Sequence, residues 1–304
     1  NGGEFISTAI NYYCYYLINI RKNSKRNKYR VLWKDIEETF KLNDIQQPIV
    51  RESIKMIDPK ESAGEYIYIG DLPARSGLGS SSAYAVSVIH SLLSLKNEAF
   101  SKYNLADLAY DLERKVLKEN IGIQDSIASS FGGLNYVKIE KNGKYKISPV
   151  LLEETIKKNF FDRILIVFSK EQRSASDMAS KTIKAMKKKS GDFRELQKMP
   201  SIARNLLLNN ELDLIGKLLM ESWKIKAHLD SSINTEKVRE ITELAEAHGS
   251  LGYKLLGAGG GGFVLIYFKE NRKYDFKKKI KDKLFFVDPK QDSEGTKILF
   301  NSSD

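Results

Sequence analysis

The chain has 304 residues, a formal net charge of +11 and a hydrophobic share of 41%, enough for one large or two ordinary domains with a core. No run approaches the roughly 18 apolar residues of a membrane span, no basic-then-apolar leader opens the sequence, and one cysteine, Cys14, excludes an internal disulfide and suits a reducing cytoplasm. The lysines are densest in the helix-like stretches 181–189 and 277–283, with no aromatic ladder between them; this weighs against nucleic acid as a partner and leaves a surface that draws small anions.

Tyr12–Ile20 and Tyr29–Trp33 read as strands, and the tyrosine-rich run Glu65–Ile69 as another. That run leads into Pro73-Ala-Arg-Ser-Gly-Leu-Gly-Ser-Ser-Ser-Ala83. Ala83, Val86, Ile89, Leu92 and Leu93 then follow at helical spacing, predicting a helix over Ser80–Leu95. A Gly/Ser loop between a strand and a helix N-terminus has the chemistry of a phosphate cradle. The first-turn N–H groups are unpaired and carry partial positive charge, Gly77 and Gly79 let backbone approach a ligand, and Ser80, Ser81 and Ser82 add hydroxyls. The loop lacks the Gly-Lys-Ser/Thr ending of the Walker motif, and Ser82 stands where G-x-G-x-x-G has its third glycine. On these residues alone, a serine-capped helix after a flexible turn is an equal reading.

Leu105–Lys118 reads as a second helix. Leu134–Ile139 and Tyr145–Ser148 read as a strand pair turning at Asn142-Gly143, and Arg163–Phe168 as a buried strand. From Ala175 to His248 the pattern is helical, broken by Pro200 and by Asn209-Asn210. Strands return at Tyr253–Leu256, Phe263–Phe268, Leu284–Val287 and Lys297–Phe300. A weak boundary falls near residues 150–162. Pattern alone gives mixed α and β in two layers.

Three ordered segments carry a resemblance. The Pro73–Ala83 loop resembles the ATP-binding signature of the GHMP kinases. Gly122-Ile-Gln-Asp-Ser126 with Phe131-Gly-Gly133 resembles the segment that carries their catalytic aspartate. Lys254-Leu-Leu-Gly-Ala-Gly-Gly-Gly-Gly-Phe263 resembles their glycine-rich third motif. Glu113-Arg114, Gln172-Arg173-Ser174 and Ser222-Trp-Lys-Ile-Lys226 extend the likeness toward the D-glycero-D-manno-heptose 7-phosphate kinases. The resemblance implies an α+β fold of two domains. Residues 1–155 would form an N-terminal nucleotide-loop domain and 156–304 a ferredoxin-like C-terminal domain, with the active site in the cleft between them. The opening Asn1-Gly-Gly-Glu-Phe5 is similar to the segment just after the family's first, sugar-binding motif, so that strand and motif are expected to be lacking from this chain.

The resemblance also implies roles, each beside a plainer reading. Pro73, Ser76, Gly77, Leu78, Gly79, Ser80, Ser81 and Ser82 would bind the nucleotide. Asp125 would be the general base or orient the acceptor hydroxyl; otherwise it is a helix N-cap before Ser126–Ser130. Glu113 would hold Mg²⁺ with Ser81; otherwise it is an exposed helical carboxylate beside Arg114. Gly259, Gly260, Gly261 and Gly262 would close over phosphates or steady the first loop, since a plain turn needs only one or two glycines. Arg173, Ser174 and Lys226 would grip a phosphate on the acceptor; a solvent role for Arg173 weighs equally, and Lys226 is as ambiguous. Trp223 reads as core. Three scattered histidines do not make a zinc site. The implied function is a cytoplasmic kinase using ATP and Mg²⁺ to phosphorylate the anomeric hydroxyl of a heptose 7-phosphate. Another acceptor (fucose, galactose or mevalonate) and a non-catalytic nucleotide-binding role are the alternatives. Neither nucleic acid nor membrane is expected as a partner, and oligomeric state is open.

Overall fold

The computed structural model describes residues 2–20, 28–57, 63–73, 77–171, 190–257 and 261–302. In chain order its principal elements are β1 (Gly3–Thr8), β2 (Cys14–Ile20), β3 (Tyr29–Leu32), β4 (Ile36–Thr39), α1 (Pro48–Ile57), β5 (Gly64–Gly70), α2 (Ser80–Leu95) and α3 (Lys102–Asp111). A π-turn (Leu112–Val116) follows, then α4 (Gln124–Phe131), β6 (Leu134–Ile139), β7 (Tyr145–Pro149), α5 (Glu154–Phe161) and β8 (Ile164–Phe168). The remainder is α6 (Ser190–Leu208), α7 (Leu212–Leu229), α8 (Glu236–Ala247), β9 (Ser250–Leu255), β10 (Phe263–Phe268), α9 (Lys273–Ile280) and β11 (Phe286–Val287). Among the described residues no helix is long and apolar enough to cross a membrane.

The chain divides into two compact units. Unit I comprises Asn1–Asn11, Arg75–Leu78 and Gly133–Ser293; unit II comprises Tyr12–Ala74, Gly79–Gly132 and Glu294–Asp304.

Unit II is built on the sheet β2-β5-β3-β4, in which β3 and β5 run parallel and the other neighbours antiparallel. Its core takes Tyr66 from β5, Ile49, Val50 and Ile54 from α1, Tyr84, Ala85, Val88, Ile89 and Leu92 from α2, and Leu105 and Ala109 from α3. α2 is buried over most of its circumference, so its N-terminus is held by packing rather than by its own helix propensity.

Unit I carries two sheets. β1 pairs antiparallel with β6, and β6 with β7. The second sheet has the order β11-β8-β10-β9 and is antiparallel throughout. Counted from β8, that order is fourth-first-third-second, with helices between the first and second strands and between the third and fourth. This is the expected ferredoxin-like topology. Its core gathers Leu165, Val167, Val264, Ile266 and Phe268 from the strands with Trp223, Val238, Ile241, Phe276 and Ile280 from the helices. Trp223 is therefore core, as expected.

Three expectations are corrected. Pro200 does not break the helix: α6 runs through it, because burial of Met199 and Leu207 holds the turns on either side despite one missing backbone donor. The chain does turn at Asn209-Asn210, where Asn210 has a φ of 59°. Lys297–Phe300 is not a strand. Thr296, just before this run, is tied to two helices: its N donates to the Ser129 carbonyl at 2.8 Å, and its Oγ1 lies 2.8 Å from His90 Nδ1. The helix expected over Leu105–Lys118 is α3 ending at Asp111, followed by the π-turn.

Candidate active site

Gly79 is the N-cap of α2, in the left-handed region at φ 72°, and no side chain caps the helix. The serine-capped reading therefore fails. Ser81 Oγ and Ser82 Oγ instead donate to Glu113 Oε1 and Oε2, each at 2.6 Å. The first-turn N–H groups are left without a side-chain acceptor among the described residues, with the helix dipole behind them, as an anion site requires. Ser80 stands at the first helical position and Pro73 at the loop's entry.

Glu113 is not the exposed helical carboxylate of the plainer reading; it is 1% exposed. The π-turn places it there. Leu117 N donates to the Leu112 carbonyl and Glu119 N to the Glu113 carbonyl, widening the last turn beyond α geometry. Burial pushes the Glu113 carboxyl up, and the two serine hydroxyls oppose that shift. Arg114 faces the other way, donating to the Glu119 carbonyl and to Asn120 Oδ1.

Asp125 lies inside the first turn of α4, whose N-cap is Ile123, so the capping reading of Asp125 also fails. Its carboxylate accepts no hydrogen bond from a described residue, and it lies against the glycine loop. A Cβ built on Gly79 would sit 3.3 Å from both Asp125 Cβ and Cγ. Burial first, and the charge of Glu113 second, push the Asp125 carboxyl up from 3.8 to about 6. Within unit II the structure thus brings together Gly79, Ser81, Ser82, Glu113 and Asp125.

Among the described residues no group of three or more His, Cys, Asp or Glu is placed to hold a metal. The donor set here is different: the Ser81 and Ser82 hydroxyls on the Glu113 carboxylate, with the Asp125 carboxylate near enough to be pushed up by the Glu113 charge. Hard oxygen donors with unbalanced negative charge fit a divalent cation of the Mg²⁺ class, which also takes phosphate oxygens and water.

Within unit I, Gly77 meets the third glycine-rich segment. A Cβ on Gly77 would lie 2.9 Å from the Leu256 carbonyl oxygen, and one on Gly257 would lie 2.8 Å from Gly77 Cα. Backbone packs directly on backbone, which is why neither position accepts a side chain. Gly262 N donates to the Glu171 carbonyl at 2.8 Å and the Gly262 carbonyl accepts from Ser169 N at 2.9 Å; a Cβ on Gly261 would strike Glu171 at 2.7 Å. Lys226 Nζ donates to the Gly257 carbonyl at 2.9 Å, and burial with the charge of Lys254 pushes its ammonium down to about 7. Ser76, Arg173, Ser174, Gly259 and Gly260 lie outside the described residues.

Sequence alone does not show that Ser82 partners Glu113 or that the charge of Lys254 acts on Lys226. The flanking glycines signalled the segment, but no local pattern marks which helix faces which.

Comparison with known proteins follows the same lines. The family model for the N-terminal domain of GHMP kinases matches residues 49–133, and that for the C-terminal domain matches residues 203–284. The D-glycero-alpha-D-manno-heptose 7-phosphate kinase of Campylobacter jejuni is 28% identical over 250 residues, covering 80% of this chain and 73% of that protein. The mevalonate kinase of Methanocaldococcus jannaschii is 25% identical over 232 residues, 76% of this chain and 70% of that one. In fold, the crystal structure of a D-glycero-D-manno-heptose 1-phosphate kinase from Bacteroides thetaiotaomicron matches with a TM-score of 0.78 at 19% identity, covering 98% of this chain and 92% of that one. Since both domain models match in order, and together span more than half of its length, this chain belongs to the GHMP kinases and is an ATP-dependent phosphotransferase with an alcohol group as acceptor.

Proposed function

We propose that the protein transfers the γ-phosphoryl group of ATP to the anomeric hydroxyl of D-glycero-D-manno-heptose 7-phosphate, giving the 1,7-bisphosphate in the cytoplasm, on the way to nucleotide-activated heptose for surface glycan. The relative from Campylobacter jejuni supports the acceptor. The observation that carries the chemistry is the Asp125 carboxylate, without a hydrogen bond from any described residue, against Gly79, and with its pKa pushed up to about 6.

In this reading the backbone from Ser76 through Gly79 and the N-terminus of α2 at Ser80 and Ser82 cradle the nucleotide phosphates, with Pro73 setting the loop's entry. Ser81 and Glu113 would hold Mg²⁺, which when bound neutralises charge on the phosphate oxygens. The acceptor oxygen bonds to the γ-phosphorus as the bond from that phosphorus to the bridging oxygen breaks, and ADP leaves. The hydroxyl proton goes to an Asp125 oxygen. A carboxylate with a pKa near 6 is ionised at neutral pH yet more basic than an ordinary aspartate, which suits that transfer. Gly259–Gly262 steady the first glycine loop, and Arg173, Ser174 and Lys226 bind the acceptor's own phosphate.

The mevalonate kinase likeness supports a second reading, in which the acceptor carries no phosphate. Coupled ADP release decides between them. The proposed function requires the highest kcat/KM on heptose 7-phosphate, compared with unphosphorylated heptose, galactose, fucose and mevalonate. A higher value on any unphosphorylated acceptor supports the second reading.

A further inference from the structure

Unit I contains a second cation that the reading above does not use. Lys226 lies in the last turn of α7, and Lys254 lies on β9, the strand against which α7 packs. Both are half-buried. Tyr253 and Leu255 turn into the core, so strand alternation directs Lys254 to the opposite face, beside its cross-strand neighbour Leu265. Lys254 makes no hydrogen bond or ion pair among the described residues. Lys226 has the neutral Gly257 carbonyl as its acceptor, and the charge that acts on it is that of Lys254.

Two half-buried lysines, with no described carboxylate to offset them and with the charge of Lys254 disfavouring that of Lys226, are a costly arrangement for a fold. Apolar residues of similar size would serve the fold better. An anion seated between them would relieve both desolvation and repulsion. The pair also sits where phosphate chemistry is expected: the carbonyl that Lys226 holds belongs to Gly257, whose backbone packs on Gly77 of the first glycine loop.

We propose that Lys254 and Lys226 together form a dibasic site for a phosphoryl group, with Lys254 a further anion-binding residue of the transfer reaction. Compact ammonium groups with three donors each suit a doubly charged phosphate. The phosphate is either the nucleotide's or the one the acceptor carries in the proposed function. The proposal builds on the role of Lys226 in that reading and outlives a change of acceptor.

The test is titration calorimetry on the full chain and on Lys254→Met and Lys254→Arg, with a non-hydrolysable ATP analogue, heptose 7-phosphate and unphosphorylated heptose. Losing a charge-assisted contact should weaken one phosphorylated ligand about 10- to 100-fold in Lys254→Met. Lys254→Arg should stay within a few-fold of the parent, and unphosphorylated heptose should be unaffected. Which phosphorylated ligand weakens identifies the phosphate. Without ligand, Lys254→Met should unfold at the parent's temperature or above, whereas a merely structural lysine would lower it. If Lys254→Met does not fold, Lys254→Gln is read by the same criteria. Parent-like affinity of the variant for both phosphorylated ligands overturns the proposal. A parent that does not bind heptose 7-phosphate, with a variant that loses the ATP analogue, overturns the acceptor and supports the dibasic site. A parent that binds neither phosphorylated ligand overturns both.

Discussion

Replacing Asp125 with Asn removes a charge that its surroundings disfavour, and the structure sets the magnitude. The Asp125 carboxyl is pushed up from 3.8 to about 6, by burial first and by the Glu113 charge second. Each pKa unit corresponds to about 1.4 kcal/mol, so the ionised group destabilises the fold by at most about 3 kcal/mol. The sign follows from the direction of the shift. The folded-state pKa lies above the unfolded one, so the parent loses stability as pH rises from about 4 through 6, and the Asn variant does not. At pH 8 Asp125→Asn should be more stable than the parent by up to about 3 kcal/mol, and near pH 3 the gain should vanish. Denaturant unfolding at both pH values measures the difference. The same substitution should lower kcat by about 10²- to 10⁴-fold while ATP affinity survives. In the parent, kcat should fall as pH drops through about 6, where the base becomes protonated. A variant less stable than the parent at pH 8, a gain that does not shrink toward acid, or a kcat within a few-fold of the parent would refute the reasoning.

Gly79→Val should abolish tight ATP binding without unfolding the chain, because a β-branched residue resists φ 72° and its Cβ would press on Asp125; a folded variant with normal affinity by calorimetry rejects the cradle. Ser81→Ala and Glu113→Gln should lower kcat and weaken the Mg²⁺ dependence more than nucleotide affinity, and parent-like Mg²⁺ titration curves for both reject the metal role. Arg173→Ala should raise KM for heptose 7-phosphate far more than KM for ATP, with poor rescue by Arg173→Lys because the planar fork is lost. Equal effects on both substrates would reject a phosphate contact.

What the sequence determined by itself was local. The alternation and apolar runs of Glu65–Ile69, Arg163–Phe168 and Phe263–Phe268 specify strands, and the spacing from Ala83 to Leu93 specifies a helix, because burial follows the backbone period. The Gly/Ser loop and Asp125 were legible because glycine spacing states where backbone must come close. Tertiary structure alone decided what those residues meet. Ser81 and Glu113 are 32 positions apart, and only the packing of α2 on α3, with the widened turn at Leu112–Val116, brings them within 2.6 Å. The same holds for Gly79 against Asp125 and for Gly77 against Gly257. Pro200 inside α6 and the irregular path of residues 297–300 show the converse. There local propensity gave way: buried Met199 and Leu207 hold α6 through Pro200, and the apolar run at 298–300 has no strand partner among the described residues.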